Sequence, residues 1–456
     1  VSSAYTATCS RLLFPLHERL KGHRSVAWRR QLERSQWLGA DALEHARVER
    51  LRGFLTDIGQ HVPYYRDLFR GAGFDPRALR SVDALVQLPT LGKAEIRAHT
   101  ERLKADDHGP LKRYNTGGSS GEPLVFYIGR DRVSHDVAAK WRATRWWGVD
   151  IGDPEVVVWG SPVELGAQDR VRRWRDRLLR TQLLPAFEMS DSRLDDFVAE
   201  IRRIRPRMLF GYPSALSHIA RHARKRGVAL DDLGVRVAFV TSERLYDEQR
   251  AIISEGFGCP VANGYGGRDA GFIAHECPEG GMHLTAEDIV VELLDANGHP
   301  VADDMPGEIT VTHMATRDFP FVRYRTGDVA VRGTAPCRCG RGLPLLQEIR
   351  GRTTDFVVAA DGTVMHGLAL IYILRDLRGI EAFKITQESL QRTVVQLVAG
   401  PEFDRGSVGA VTAAFRRRLG ESVEVPVEFV DRIPAEKSGK FRYVVSRVAG
   451  SEAVVA

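Results

Sequence analysis

Seven stretches of this 456-residue chain hold residue types that could do chemistry. The first is YNTGGSSGEP, from Tyr114 to Pro123, leading into Leu124 and an apolar run. Gly117, Gly118 and Gly121 let the backbone turn its N–H groups toward a phosphate, and Thr116, Ser119 and Ser120 add hydroxyl donors. No Gly-Lys-Ser/Thr opens a following helix, so this is not a Walker A loop, and taken alone a flexible turn explains it equally. A second grouping pairs CPEGGMH (277–283) with PCRCGR (336–341). Cys277, His283, Cys337 and Cys339 have the thiolate and imidazole character that suits tetrahedral zinc, with His275 as the substitute nitrogen donor. Four protein ligands leave no open position, so such a metal is structural; the alternative is a set of buried thiols. His135, near Trp141, Trp146 and Trp147, reads as a structural histidine on a helix.

The remaining stretches gain meaning from their order. NGYGGRD (263–269) follows a strand pattern, and FVRYRTGD (321–328) puts Asp328 after a tight turn. Gly351 and Arg352 form a pair, and Lys440 lies in PAEKSGKFR (434–442). With the loop at 116–121, this ordered set resembles the adenylate-forming superfamily of acyl-CoA synthetases, luciferases and adenylation domains. VPYYR (62–66), LPT (88–90) and KFRYVVS (440–446) are similar to its phenylacetate-CoA ligase branch, and within that to CapK and coenzyme F390 synthetase-like members. The resemblance spans nearly the whole chain.

That resemblance implies roles for single residues. Thr116, Gly117, Gly118, Ser119, Ser120 and Gly121 would hold the β- and γ-phosphates of ATP. Glu243, Gly264, Tyr265 and Gly266 would line the adenine and acyl sites, with Tyr265 on the adenine ring. Asp269 would help hold Mg²⁺, Asp328 would accept from both ribose hydroxyls, and Arg352 would meet ribose and phosphate. Lys440 would bridge the attacking carboxylate and the α-phosphate, where like charges repel and a cation is needed. Three departures stand out: Leu124 follows the proline where many relatives have lysine, Asp269 replaces a glutamate, and Thr354 then Asp355 stand where a hinge carboxylate is usual.

The implied activity is ATP-dependent conversion of a carboxylic acid, an aryl acid by branch, to an acyl-adenylate with pyrophosphate release, then transfer to CoA. An amine acceptor, or AMP transfer to a cofactor hydroxyl as in coenzyme F390 synthetase, shares the first step. A non-catalytic nucleotide-binding protein is the reading from another class, and the intact set of Thr116, Asp328, Arg352 and Lys440 speaks against it. Expected cofactors are ATP, Mg²⁺, CoA and a structural Zn²⁺, and a homodimer is the default for the branch.

These residues require elements to position them. Residues 1 to 110 read as helical, with Val48, Leu51, Leu55 and Ile58 at helical spacing. From 111 to 270, strand-like runs at 154–160, 207–212 and 235–240 alternate with helices, one capped by Ser214, which implies a mainly parallel sheet. Runs at 287–295 and 307–314 with no long helix between them make 271–350 a more antiparallel, β-rich region. After GRTTD (351–355) come a hairpin with an Asp361-Gly362 turn, a helix, two strands, a helix and a strand, a split βαβ order. The expected architecture is therefore α/β: a large N-terminal domain of mixed sheets and helices (1–353) that binds ATP and acid, and a small mobile α+β C-terminal domain (354–456).

Composition is compatible with this. Apolar residues make up 43% and charged ones 27%, which excludes a disordered chain. The net charge of +6 tolerates anionic ligands without demanding nucleic acid. The basic run RVRRWRDRLLR (170–180) reads as an amphipathic helix with a solvated arginine face, or as a phosphate-binding patch. No apolar stretch of about 18 residues is present, so no membrane partner is expected. Five cysteines, three of them in tight motifs, argue for a reducing compartment, and the expected location is the cytoplasm.

Overall fold

A computed structural model describes residues 3–115, 124–159, 170–186, 189–352, 356–375, 377–434 and 442–448. The N-terminal part is helical, as its periodicity predicts. The helix Ala40–His61 buries Val48, Leu51, Leu55 and Ile58 along one face, and Pro63 opens the next helix at a position that needs no N–H partner. These helices close one side of a core that also takes in the antiparallel strands below.

A hairpin of β1 (Lys112–Asn115) and β2 (Val125–Ile128) stands apart as its own two-stranded sheet. The central sheet holds β3 (Glu155–Trp159), β4 (Thr181–Pro185), β5 (Met208–Gly211), β6 (Val237–Thr241), β7 (Val261–Gly267), β8 (Gly271–Glu276) and β9 (Met282–Leu284). Beyond them lie β10 (Ile289–Leu294), β11 (Gly307–His313), β12 (Tyr324–Gly333) and β13 (Leu345–Arg352). The parallel and antiparallel regions read from the sequence are two halves of this one 11-stranded sheet, ordered β10-β11-β12-β13-β9-β8-β7-β6-β5-β3-β4. Strands β3 to β7 pair in parallel, and β7 pairs with β8 antiparallel, so β7 is where the sheet changes sense. The parallel strands β5 and β6 are buried at every position, as expected where helices cover both faces.

One boundary differs from expectation. The helix after β5 spans Pro213–Lys225, with Tyr212 in extended conformation before it, so Ser214 lies inside the first turn and is not the cap. Proline at the first helical position supplies a helical φ and leaves no N–H to satisfy, which moves the start one residue earlier.

After β13 come β14 (Phe356–Val358) and β15 (Val364–His366), paired as a hairpin. Gly362 takes φ 87° in its turn while the Asp361 carboxylate accepts from the Thr363 N–H at 2.9 Å. Helix Leu368–Arg375, β16 (Ile380–Ser389), β17 (Arg392–Ala399), helix Val408–Leu419, β18 (Val427–Phe429) and β19 (Val444–Ser446) follow. The four later strands form a sheet ordered β18-β17-β16-β19 and gather their own apolar cluster, including Ile385, Leu397, Phe415 and Val444. Tyr246 of the N-terminal part packs edge-on against Tyr443, with centroids 5.4 Å apart.

Candidate active site and metal centre

In parallel sheets ligands gather outside the carboxyl ends of the strands. Here those ends belong to β5, β6 and β7, and the predicted residues cluster there. Glu243 lies just past β6 and accepts a hydrogen bond from the Ser214 N–H at 3.2 Å, so its carboxylate faces the start of helix Pro213–Lys225. Gly264 stands opposite Thr241 in register. A Cβ on Gly264 would come within 2.6 Å of the Phe239 ring, and one on Gly266 within 2.2 Å of the Gly271 carbonyl oxygen. Both glycines are thus required by close packing of β7 against β6 and β8.

Two tyrosine–carboxylate pairs cross this end of the sheet. The Tyr265 hydroxyl donates to Asp328 Oδ2 at 2.8 Å, and the Tyr324 hydroxyl donates to Asp269 Oδ2 at 2.7 Å. Asp269 and Asp328 are half-buried. Asp328 also stands directly opposite Arg352 in the β12–β13 register, so the Gly351-Arg352 pair reaches the same place. Gly351 adopts φ 99°, which only glycine takes without strain.

The segment Thr116–Gly121 lies outside the described residues, but its two ends do not. Asn115 pairs with Val125 in the β1–β2 hairpin, so the loop is the connection of that hairpin. Phe126 packs on Phe321, with centroids 6.4 Å apart, and the Arg268 guanidinium lies over the Tyr114 ring at 5.7 Å. The base of the loop is therefore held beside the Asp269 turn. Lys440 also lies outside the described residues, as do Thr354 and Asp355.

Arg132 was not singled out from the sequence, yet it staples this turn. It is buried in helix Arg130–Trp146, its Nε–H is shared by the two carboxylate oxygens of Asp136 at 2.9 and 3.0 Å, and Nη2 and Nη1 donate to the carbonyls of Arg268 (3.2 Å) and Asp269 (3.5 Å). His313 packs alongside, its Nε2 3.9 Å from Asp136 Oδ1. Burial, with Arg132 adding repulsion, pushes its pKa down to about 3, so the ring is neutral. For Asp136, burial acts to raise the pKa, but Arg132 and His313 outweigh it and hold the carboxylate ionised. A polar residue at a buried helix position is a weak signal, and nothing local marks Arg132 as different from its arginine-rich neighbours.

The second constellation lies elsewhere. Cys277, at the far end of β8, and His283, on β9, come together with Cys337 and Cys339, and their donor atoms all lie within 4.8 Å of one another. The Cys277 and Cys337 sulfurs are 3.6 Å apart, too far for a disulfide and close to the ~3.8 Å between thiolates that each sit ~2.3 Å from a tetrahedral ion. Cys339 Sγ is 3.2 Å from His283 Nε2. On its other side the ring faces the Leu343 carbonyl from Nδ1 at 3.3 Å, which leaves Nε2 as the lone pair aimed at the sulfurs. Burial pushes His283 down to about 4, favouring the neutral, ligating form. A Cβ on Gly281 would meet Cys337 Sγ at 2.6 Å, so glycine keeps the cradle open. His275, the substitute donor, is not in this group: it stacks on Phe272 at 5.6 Å and 15° and lies against Phe239. Six residue steps of β8 separate Cys277 from Gly271, about 20 Å along a strand, so this centre is remote from the Asp269 turn.

Comparison with known proteins bears on both parts. Residues 357–447 match the model of the CapK C-terminal domain. Protein CapK of Staphylococcus aureus is 24% identical over 405 residues, covering 88% of each chain. The phenylacetate-coenzyme A ligase of Thermus thermophilus is 27% identical over 330 residues, 70% of this chain and 73% of that one. Among solved structures, 2-hydroxyisobutyryl-CoA ligase in its postadenylation state with 2-HIB-AMP superposes with a TM-score of 0.74 at 20% identity, covering 91% of each chain. Its open conformation with 2-HIB-AMP and CoA gives 0.62 at 21% identity, over 91% of this chain and 93% of that one. By sequence the chain is thus similar to CapK and the phenylacetate-CoA ligases, and it shares the fold of 2-hydroxyisobutyryl-CoA ligase.

Proposed function

We propose that this chain activates a carboxylic acid with ATP and passes the acyl group to CoA, as an AMP-forming acid–thiol ligase. One observation carries the reading: Asp328 and Asp269, each oriented by a tyrosine hydroxyl, converge at the carboxyl ends of β6 and β7 beside the base of the 116–121 loop. In the first step a carboxylate oxygen bonds to the α-phosphorus of ATP as the bond to pyrophosphate breaks. In the second, the CoA thiolate bonds to the acyl carbon and AMP leaves.

Asp328 is assigned to the ribose hydroxyls, and its bond from Tyr265 fixes the carboxylate that would accept from them. The Tyr265 ring is assigned to the adenine face, and Glu243 with Gly264–Gly266 to the adenine and acyl walls. Asp269, held by Tyr324 and by Arg132 through the backbone, is assigned to help hold Mg²⁺, which would supply charge neutralisation for the departing pyrophosphate. Because its side chain is one methylene shorter than glutamate, the Arg132 staple that sets its backbone bears more of the positioning. Thr116–Gly121 are assigned to the phosphates, Arg352 to the ribose and phosphate, and Lys440 to the point where carboxylate meets α-phosphate. The region 354–456 would carry Lys440 in and out between half-reactions.

Cys277, His283, Cys337 and Cys339 are assigned to a structural zinc that ties β8 and β9 to the 336–341 loop. Four protein donors leave no place for substrate.

The acid is proposed to be an aryl acid. The match of residues 357–447 to the CapK C-terminal domain favours keeping a second acceptor in view, an amine or a cofactor hydroxyl, because this is the part proposed to face the acceptor. Pyrophosphate exchange over aryl, fatty and amino acids, with mass spectrometry of products when CoA or amines are supplied, tests both. Acid-dependent exchange with a CoA thioester is the expected outcome; exchange with an amide product selects the second acceptor. Absence of exchange with every acid overturns the proposal.

A further inference from the structure

The helix pair at the N-terminus, Ala4–Thr8 and Phe14–Leu20 joined by a π-helical turn, leaves three leucines uncovered. Leu12, Leu16 and Leu20 are 66%, 57% and 80% exposed and follow each other at four-residue spacing, so they share one face. Phe14 of the same segment is buried, so the helix spends one apolar face on the core and shows a second to the outside.

The basic helix Arg170–Leu178 lies next to it. The Tyr5 hydroxyl donates to the Leu178 carbonyl at 2.8 Å, and the Arg180 guanidinium covers the Tyr5 ring at 4.1 Å. His17 and Lys21 line one cavity of about 380 Å³ together with Arg175 and Leu179. An amphipathic helix with a solvated arginine face should turn its apolar residues inward. Instead Trp174 is 75% exposed and Leu178 45%. Two neighbouring helices thus leave leucine and tryptophan side chains exposed.

Among the described residues, the exposed charges beside this apolar surface are basic. Arg11, Arg19, Lys21, Arg177 and Arg180 are all exposed. The nearby carboxylates are engaged: Glu18 is buried and accepts from Ser25 and His23, and Asp176 pairs with Arg175. A leucine and tryptophan surface ringed by arginine matches an anionic lipid interface, where the apolar side chains enter the headgroup boundary and the cations meet lipid phosphate. A second copy of this chain is less well matched, because a two-fold contact would set the same basic rim against itself.

We propose that this face docks the protein on anionic lipid membranes as a peripheral, non-spanning contact. No described helix is long and apolar enough to cross a bilayer, so the contact is with the surface. The sequence expectation, drawn from the lack of a spanning segment, does not address a surface contact, and the proposal is independent of the proposed chemistry, since none of these residues lies at the carboxyl ends of the parallel strands.

The test is flotation of the full chain with vesicles of phosphatidylcholine alone and of phosphatidylcholine mixed equally with phosphatidylglycerol, at low and high salt. Binding at least about tenfold stronger to the anionic vesicles, weakened by salt, is expected. A combined Leu12→Ser, Leu16→Ser, Leu20→Ser variant should lose at least about tenfold of it, as should Arg11→Gln, Arg19→Gln, Arg177→Gln. Both variants should keep the wild-type circular dichroism, and a variant that does not is replaced by Trp174→Ser alone. Absence of binding to anionic vesicles, or equal binding by folded variants and wild type, overturns the proposal. So does a wild-type dimer in sedimentation velocity that the leucine substitutions dissociate, since the face would then belong to a second copy.

Discussion

At the scale of single residues, the site depends on hydroxyls that hold carboxylates. Tyr265→Phe removes the donor to Asp328 and should weaken ATP binding several-fold, on the order of the ~1 kcal/mol of one hydrogen bond, with little loss of fold. The KM for ATP in pyrophosphate exchange reads this. Lys440→Ala should lower acyl-adenylate formation by about 10²-fold or more while leaving nucleotide binding in place, as single-turnover quench would show. His313 makes a pH prediction. It is neutral in the fold, with its pKa down at about 3, but in the unfolded chain it titrates near 6.5, so the unfolded state takes up the proton first. Stability therefore falls as pH drops below about 6.5, by up to ~1.4 kcal/mol per pH unit, until the folded ring itself protonates. Asp136 acts in the same direction at lower pH, because its folded pKa is depressed. His313→Gln should flatten the slope between neutral pH and about pH 4 in denaturant titrations.

At the scale of elements, the β7–β8 turn is positioned from a distant helix. Arg132→Ala removes the guanidinium donor from the carbonyls of Arg268 and Asp269 and from the half-buried Asp136, which keeps only His313 alongside. A stability loss of about 2 kcal/mol is expected, together with a drop in exchange rate that exceeds the loss of folded protein. Arg132→Lys should rescue only in part, because the donors of an ammonium radiate from one atom and cannot span the carboxylate and two carbonyls that Nε, Nη1 and Nη2 reach separately. Thermal unfolding and the kcat of exchange on the folded fraction separate the two effects. The strand itself is constrained in the same place: a side chain at Gly266 would drive β8 from β7, so Gly266→Ala should be among the most damaging single-methyl additions in the chain.

For the whole molecule, the Cys277–His283–Cys337–Cys339 cluster proposed to hold zinc and the proposed active site sit at opposite ends of β8. Removing zinc with a chelator should lower the melting temperature and expose the 336–341 loop to protease, while the KM for ATP of the protein still folded stays near its starting value. Cys339→Ser should reproduce the loss of stability and of bound zinc by elemental analysis. A metal content unaffected by these substitutions would exclude the assignment.

Much of this protein was determined by its sequence alone. The apolar runs at 154–160 and 235–240, the apolar spacing of 48–58 and the Asp361-Gly362 turn are local patterns whose physics lies within a few residues; the strands fall at 155–159 and 237–241, within a residue or two of those runs, and the helix and hairpin stand where their patterns put them. The motif order likewise led to the scaffold. What the tertiary structure decided is pairing at a distance. Tyr265 meets Asp328 across 63 residues, Tyr324 meets Asp269 across 55, and Arg132 reaches the Asp269 turn across 137. Such contacts follow from which strands become neighbours and in what register, and no local propensity encodes that. The β9–β13 pairing, with His283 opposite Leu345, brings the two cysteine segments together and leaves His275 among aromatic rings. The exposed leucines and Trp174 belong to the same class, because a periodic pattern reports that a helix has an apolar face, and only packing decides whether anything covers it.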